Sequence, residues 1–261
     1  MRILFVGDVH GRPGRRAVAR RVPSLRRELG VDFVVANAEN SAGGAGLTPQ
    51  TAAELFEAGV DVLTGGNHTW AKREAYEFLD SDPRVVRPAN YPPGVPGHGS
   101  TVVRRGGLAL AVLNLQGRVF MEPLDDPFRV ARAEVDRLRE VTPFVLVDFH
   151  AEATSEKVAM GYHLDGRVTA VLGTHTHVQT ADERVLPGGT AYITDVGMTG
   201  PRDGVIGVDR DAILQRFLTQ LPVRFEVAAG PVQFSAVLVE ADGSGRATAI
   251  RRIHELDASA R

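Results

Sequence analysis

Five short apolar runs in this chain are each followed closely by side chains of the kind that bind metals. Asp8 and His10 come after 2–6, Glu39 and Asn40 after 33–36, and Asn67 and His68 after 60–63. His150 follows 144–147, and His175 and His177 follow 169–172. Helical stretches near 13–29, 49–58 and 72–79 separate the early runs. Strands alternating with helices imply right-handed βαβ units and a parallel sheet. Strand ends in such a sheet open on one edge, so residues far apart in sequence meet in one cleft.

The remaining pattern extends this reading. Pro23 is expected to kink the first helix, and Thr48 with Pro49 reads as the cap and first position of the second. The stretch 82–100 is rich in Pro and Gly and reads as an irregular excursion. Strands are expected near 101–104, 108–114 and 191–194, and a helix over 127–140. A hairpin of 233–241 and 247–252, turning at Asp242-Gly243, closes the chain. With no repeat or linker, a single domain over 1–261 is the simplest account, a layered sheet core with helices outside.

Composition narrows the function. A chain of 261 residues can bury a large core. A net charge of −2 gives no bulk attraction to nucleic acid or anionic membrane. The arginines at 12, 15, 16, 20, 21, 26 and 27 encircle the first helix and read as solvated surface. Lysine occurs only at 72 and 157, which reads as a compositional habit. The absence of Cys excludes disulfides, thiolate ligands and cysteine catalysis, and it fits the cytoplasm. No apolar run approaches the ~20 residues of a membrane helix, and the amino terminus lacks signal-peptide features. Gly43-Gly44-Ala45-Gly46 lacks the Lys-Ser/Thr of a phosphate-binding loop and reads as a flexible connection.

The chemistry comes from donor type. Hydrolytic metal centres use hard or borderline ligands and leave positions open for water and substrate. Asp8, Glu39, His150, His175 and His177 meet the first demand, and Glu39 is the natural bridge between two cations. Asn40 and Asn67 offer neutral carbonyl oxygens; Asn occurs five times, and Asn37, Asn40 and Asn67 fall in these loops. On an extended segment His175 and His177 would face the same way. Paired cations about 3.5–4 Å apart polarise a phosphoryl group and orient hydroxide. His68, beside Asn67, is free to face substrate as general acid. One His after a strand is ordinarily a structural hydrogen-bonding residue; the recurrence in five loops carries the argument. Asp195 reads equally well as a capping or loop residue and as a chemical one, and a helix start accounts for Glu152, Thr154, Ser155, Glu156 and Lys157.

Gly7-Asp8-Val9-His10, Gly66-Asn67-His68 and Gly173-Thr174-His175-Thr176-His177 resemble the calcineurin-like metallophosphoesterases. Asn37-Ala38-Glu39-Asn40, Gly66-Asn67-His68-Thr69-Trp70, Asp148-Phe149-His150-Ala151-Glu152 and Asp195-Val196-Gly197-Met198-Thr199-Gly200 resemble its bacterial YmdB-like branch. The resemblance implies an α/β sandwich of mixed β-sheets flanked by helices. It further implies two divalent metal ions, iron or manganese with zinc as a third option. The activity implied is phosphodiesterase action on cyclic nucleotides, 2′,3′-cyclic first and 3′,5′-cyclic second. Asp8, Glu39, Asn40 and His177 would then hold one metal, and Glu39, Asn67, His150 and His175 the other, with His68 as proton donor. Two departures stand out: Glu39-Asn40 replaces the superfamily's Gly-Asp pair, and Thr69 replaces the acidic residue after the motif histidine. His10, a ligand elsewhere in the superfamily, stays unassigned. The competing functions are a phosphomonoesterase or protein phosphatase on the same centre, and a non-catalytic nucleotide-binding regulator. A homo-oligomer is left open.

Overall fold

The computed structural model describes residues 1–257. Its first half contains β1 (Arg2–Val6), β2 (Asp8–Val9), α1 (Gly11–Leu29), β3 (Phe33–Asn37), α2 (Pro49–Glu57), β4 (Val62–Thr64), α3 (Ala75–Ser81), β5 (Val85–Val86), β6 (Ser100–Arg105) and β7 (Leu108–Gln116). The second half adds α4 (Pro127–Arg139), β8 (Val145–His150), α5 (Thr154–Leu164), β9 (Ala170–Thr174), β10 (Arg184–Val185) and β11 (Ala191–Ile193). It closes with β12 (Met198–Pro201), α6 (Arg210–Thr219), β13 (Val232–Ala241) and β14 (Ala247–Asp257).

These strands build two mixed sheets. The first runs β2-β12-β13-β1-β3-β4-β5, with β14 paired to β13; the second runs β10-β11-β9-β8-β7-β6. β1, β3, β4 and β5 are parallel neighbours, as are β7, β8, β9 and β11. The alternation of side chains along each strand explains the layering. In β1, Ile3 and Phe5 join a core with Leu110 and Val112 of β7 and Leu172 of β9, between the sheets. Leu4 and Val6 point to the other face and pack with Val18, Val22 and Leu25 of α1 and Leu55 of α2. On the far side of the second sheet, Val145, Val147 and Phe149 meet Val135 of α4 and Met160 of α5. The expected sandwich of mixed sheets flanked by helices is what forms.

Details differ from the sequence reading in ways the packing explains. α1 continues through Pro23, and α2 starts as expected, with the Thr48 hydroxyl accepting from Thr51 N–H and Pro49 following it. β8 runs on to His150, so Asp148 lies inside a buried strand instead of after it. α6 had no counterpart in the reading; only Ile213 of that helix is buried. The Gly-rich segment is a compact turn held to its surroundings, with Gly46 N–H donating to Glu39 O and the Asn40 amide to Gly44 O. Four of the seven α1 arginines are engaged in ion pairs, Arg15 with Glu54, Arg20 with Asp257, Arg21 with Glu255 and Arg26 with Asp61. Among the described residues, no helix is long and apolar enough to cross a membrane.

Candidate metal centre

Parallel strands from both sheets finish along one edge, and a buried carboxylate ties the two sheets together there. Asp148 of β8 accepts from Thr64 of β4 at 2.5 Å, from the Asn37 amide of β3 at 3.0 Å and from Thr174 of β9 at 2.7 Å. Asn37 also donates to Gly65 O, and Asn114 of β7 accepts from Gly65 N–H. The ends of β3, β4, β8 and β9 and the 65–69 loop are thereby locked to one another. Thr69 tightens that loop, its hydroxyl donating to Gly66 O at 2.7 Å and accepting from Gly66 N–H at 3.0 Å. Asn67 and His68 project from this turn.

The donor atoms converge above this base. Ligand atoms of Glu39, His150 and His175 all lie within 4.8 Å of one another. His150 Nε2 is 3.3 Å from Glu39 Oε1, 3.0 Å from His175 Nδ1 and 2.9 Å from Asn67 Oδ1. Asp8, buried at the start of β2, accepts from His175 N–H at 3.3 Å and lies 4.0 Å from His177 Nε2. Asn40 Nδ2 approaches His68 Nδ1 at 3.3 Å. Each of the seven expected donors therefore contacts at least one other member of the set or the histidine beside it.

His175 and His177 reach the site by a different route from the one expected. Both have left-handed backbones, φ 98° and 66°, so the segment is a tight turn and not an extended strand. Asp195 holds this turn: its carboxylate accepts from Thr176 N–H at 3.1 Å, Thr176 Oγ1 at 2.6 Å and Gly197 N–H at 2.7 Å. Lys157 of α5 donates to the same carboxylate at 2.8 Å, and the pair is sealed from solvent. His177 Nδ1 is further fixed by Ile206 O at 2.9 Å, leaving Nε2 toward Asp8.

Electrostatics fit a cation. Burial lifts the Asp8 carboxyl to about 6, opposed by His177. Burial also favours the neutral form of Glu39, yet His150 and His68 beside it hold the carboxyl well below its usual range. For His150, burial works against charge, but the Glu39, Asp8 and Asp148 carboxylates outweigh it and raise the imidazole to about 9. Burial and His150 push His175 down to about 3, so this ring is neutral and able to donate. Asp8 Oδ1, Asn40 Oδ1 and both ring nitrogens of His10 are buried with no hydrogen-bond partner. Buried polar atoms are rarely left so, and oxygen and imidazole donors with unused lone pairs suit hard or borderline divalent cations. The residues present fit such a centre.

Two supporting groups escaped the sequence reading. His150 Nδ1 meets Thr174 Oγ1 at 2.9 Å, and Thr174 passes the bond to Asp148, which frees Nε2 for the centre. Metal-binding histidines ordinarily have their second nitrogen held in this way. The carboxylate that sequence could not find for His68 is Glu39 itself. It accepts from His68 N–H at 2.9 Å and contacts Nδ1 at 3.2 Å, while the ring stays 42% exposed. That hydrogen bond raises the His68 imidazole above its usual range.

Known proteins agree with this architecture. The chain is 54% identical over 254 residues, 97% of its length and 96% of the relative's, to a Bacillus subtilis 2′,3′-cyclic-nucleotide 2′-phosphodiesterase. A crystal structure of a hypothetical protein from Thermus thermophilus superposes with a TM-score of 0.92 at 48% identity, covering 98% of this chain and 100% of that one. A Mycoplasma pneumoniae structure described as a novel phosphatase gives 0.92 at 34% identity, with 99% and 94% coverage. Residues 4–253 match the family model described as YmdB-like protein, and the chain belongs to that family.

Proposed function

We propose that the chain is a metal-dependent phosphodiesterase that opens nucleoside 2′,3′-cyclic phosphates. Two divalent cations, iron or manganese before zinc, would be held by Asp8, Glu39, Asn40, Asn67, His150, His175 and His177. When bound, they would polarise the phosphoryl group and lower the pKa of water. The chain's own residues supply the rest. Glu39, charged and buried, lies between the His68 and His150 sides of the cleft. His68, whose imidazole Glu39 shifts toward the protonated form and which is still open to solvent, gives its proton to the departing ribose oxygen. Thr174 and Asp148 keep His150 in the tautomer that donates through Nε2. A cytoplasmic setting suits a nucleotide substrate.

The observation that carries the reading is the convergence of Glu39, Asn67, His150 and His175 beside a half-exposed His68. The 2′,3′-cyclic substrate follows the Bacillus relative. The decisive variant is His68→Ala. It should keep the metal content of the parent by elemental analysis and lose about 100-fold or more in kcat, the usual contribution of a positioned proton donor. Unchanged turnover, or loss of metal with the histidine, would reject the assignment. A phosphomonoesterase is the second reading, favoured by the description of the Mycoplasma structure. Side-by-side rates on a cyclic nucleotide and the matching monoester separate the two.

A further inference from the structure

The loop 117–125, between β7 and α4, forms one wall beside the metal centre. Its ends are pinned. Gly117 N–H donates to His150 O at 2.9 Å, and a Cβ at Gly117 would lie 2.5 Å from Glu156 Oε2 and 2.6 Å from Ala151 Cβ. The buried Glu156 carboxylate accepts from Arg118 N–H at 3.1 Å and Val119 N–H at 3.2 Å. At the far end the Asn90 amide donates to Asp125 O at 3.0 Å, and Arg118 pairs with Asp126 at 2.9 Å.

Between these anchors the chain does something costly twice. Phe120 has a φ of 62°, a region that bulky residues rarely occupy. Its ring is also 89% exposed, which leaves a large apolar surface in water. Strain of this kind persists where surrounding contacts enforce it, and it concentrates at functional sites. The location gives it a use. Phe120, Met121 and Glu122 line an open pocket of about 420 Å³ together with Asn67 and His175 of the candidate metal centre. That volume lies within the range of small-ligand sites.

We propose that Phe120 is the platform on which the nucleobase of the substrate stacks while its phosphate lies at the metal centre. This rests on the phosphodiesterase reading above. A phenyl ring has no polar atoms, so it favours any base over none and discriminates weakly among bases. A pinned loop also means that little ordering remains to be done on binding.

The test uses the metal-loaded enzyme and adenosine 2′,3′-cyclic phosphate. Phe120→Ala should raise KM about tenfold, within what the loss of one stacked base costs, with kcat changed less than twofold. Phe120→Trp should restore KM. An unchanged KM in Phe120→Ala, or a collapse of kcat with KM unaltered, overturns the proposal. The second readout needs no turnover. The parent has one tryptophan, Trp70, so the added emission of Phe120→Trp reports on the platform. Adenosine monophosphate should quench it and inorganic phosphate should not. Quenching by both, or by neither, overturns the platform. Quenching by the nucleotide in a protein that opens no cyclic phosphate retains the platform and discards the phosphodiesterase reading instead.

Discussion

Replacing Lys157 by Met is the sharpest test of how the histidine turn is held. The Lys157 and Asp195 side chains are 1% and 0% exposed, with Nζ and Oδ2 2.8 Å apart. Removing the cation leaves a sealed carboxylate, a change that costs ~3–5 kcal/mol in buried pairs. Asp195 keeps three donors, from Thr176 N–H, Thr176 Oγ1 and Gly197 N–H, so the lower end, about 3 kcal/mol, is expected. For a chain of this size that corresponds to a fall in Tm of roughly 6–12 °C. Lys157→Met with Asp195→Asn removes both charges and should recover more than half of the loss, because no uncompensated ion remains. The assay is reversible urea unfolding of parent, both single variants and the double variant, read as a coupling energy. A single-variant loss below about 1 kcal/mol, or a double variant that simply adds the two singles, would refute the idea that this pair carries the turn.

Three further outcomes follow from the same geometry. Thr174→Val keeps the volume but breaks the link from His150 Nδ1 to Asp148; metal affinity should fall about 10–100-fold in chelator competition, and an unchanged affinity would remove Thr174 from the site. At Gly66 an added Cβ would lie 2.3 Å from Glu39 Oε2 and 2.4 Å from the His150 ring. Gly66→Ala should therefore lose metal while its far-ultraviolet spectrum stays that of the parent, and full occupancy would contradict the crowding. Chelator-stripped protein should lose stability as pH rises from 6.5 to 9. The His150 pKa is raised from 6.5 to about 9 in the fold, so its contribution is complete below the lower value and gone above the upper. The loss is on the order of 3 kcal/mol, and Asp8, raised only to about 6, has completed most of its titration by the start of this window. Cations displace that proton, so metal-loaded protein should show no such fall. Equal urea midpoints at both pH values after stripping would count against the charge on His150.

The positions of the longer strands and the candidate donor residues were legible because both leave a periodic or chemical mark. β1, β3 and β9 are apolar runs ending in polar groups, and cations demand the same few residue types wherever they bind. β2, β5 and β10 have two residues each, too short to carry a period. α6 escaped for the opposite reason, since Leu214, Phe217 and Leu218 are exposed and no apolar stripe faces a core. Lys157 was visible as one of two lysines in an arginine-rich chain but carried no sign of its partner, 38 residues away.

What stayed hidden is of one kind: residues whose role depends on a neighbour from another strand. Asp148 reads as the polar stop of an apolar run, because a carboxylate inside a fully buried strand is ordinarily prohibitive. It is tolerated here because Thr64, Asn37 and Thr174 arrive from three different elements to satisfy it. Thr174 and Thr64 are unremarkable β-residues by composition, and only the register of β8 against β9, with His150 opposite Thr174, makes one of them the brace of the His150 ring. The His175–His177 turn illustrates the same limit. Spacing two apart suggested a shared face through extension, whereas two left-handed residues achieve it through Asp195. The groups that meet a cation can be read from their types, and the groups that aim them only from the fold.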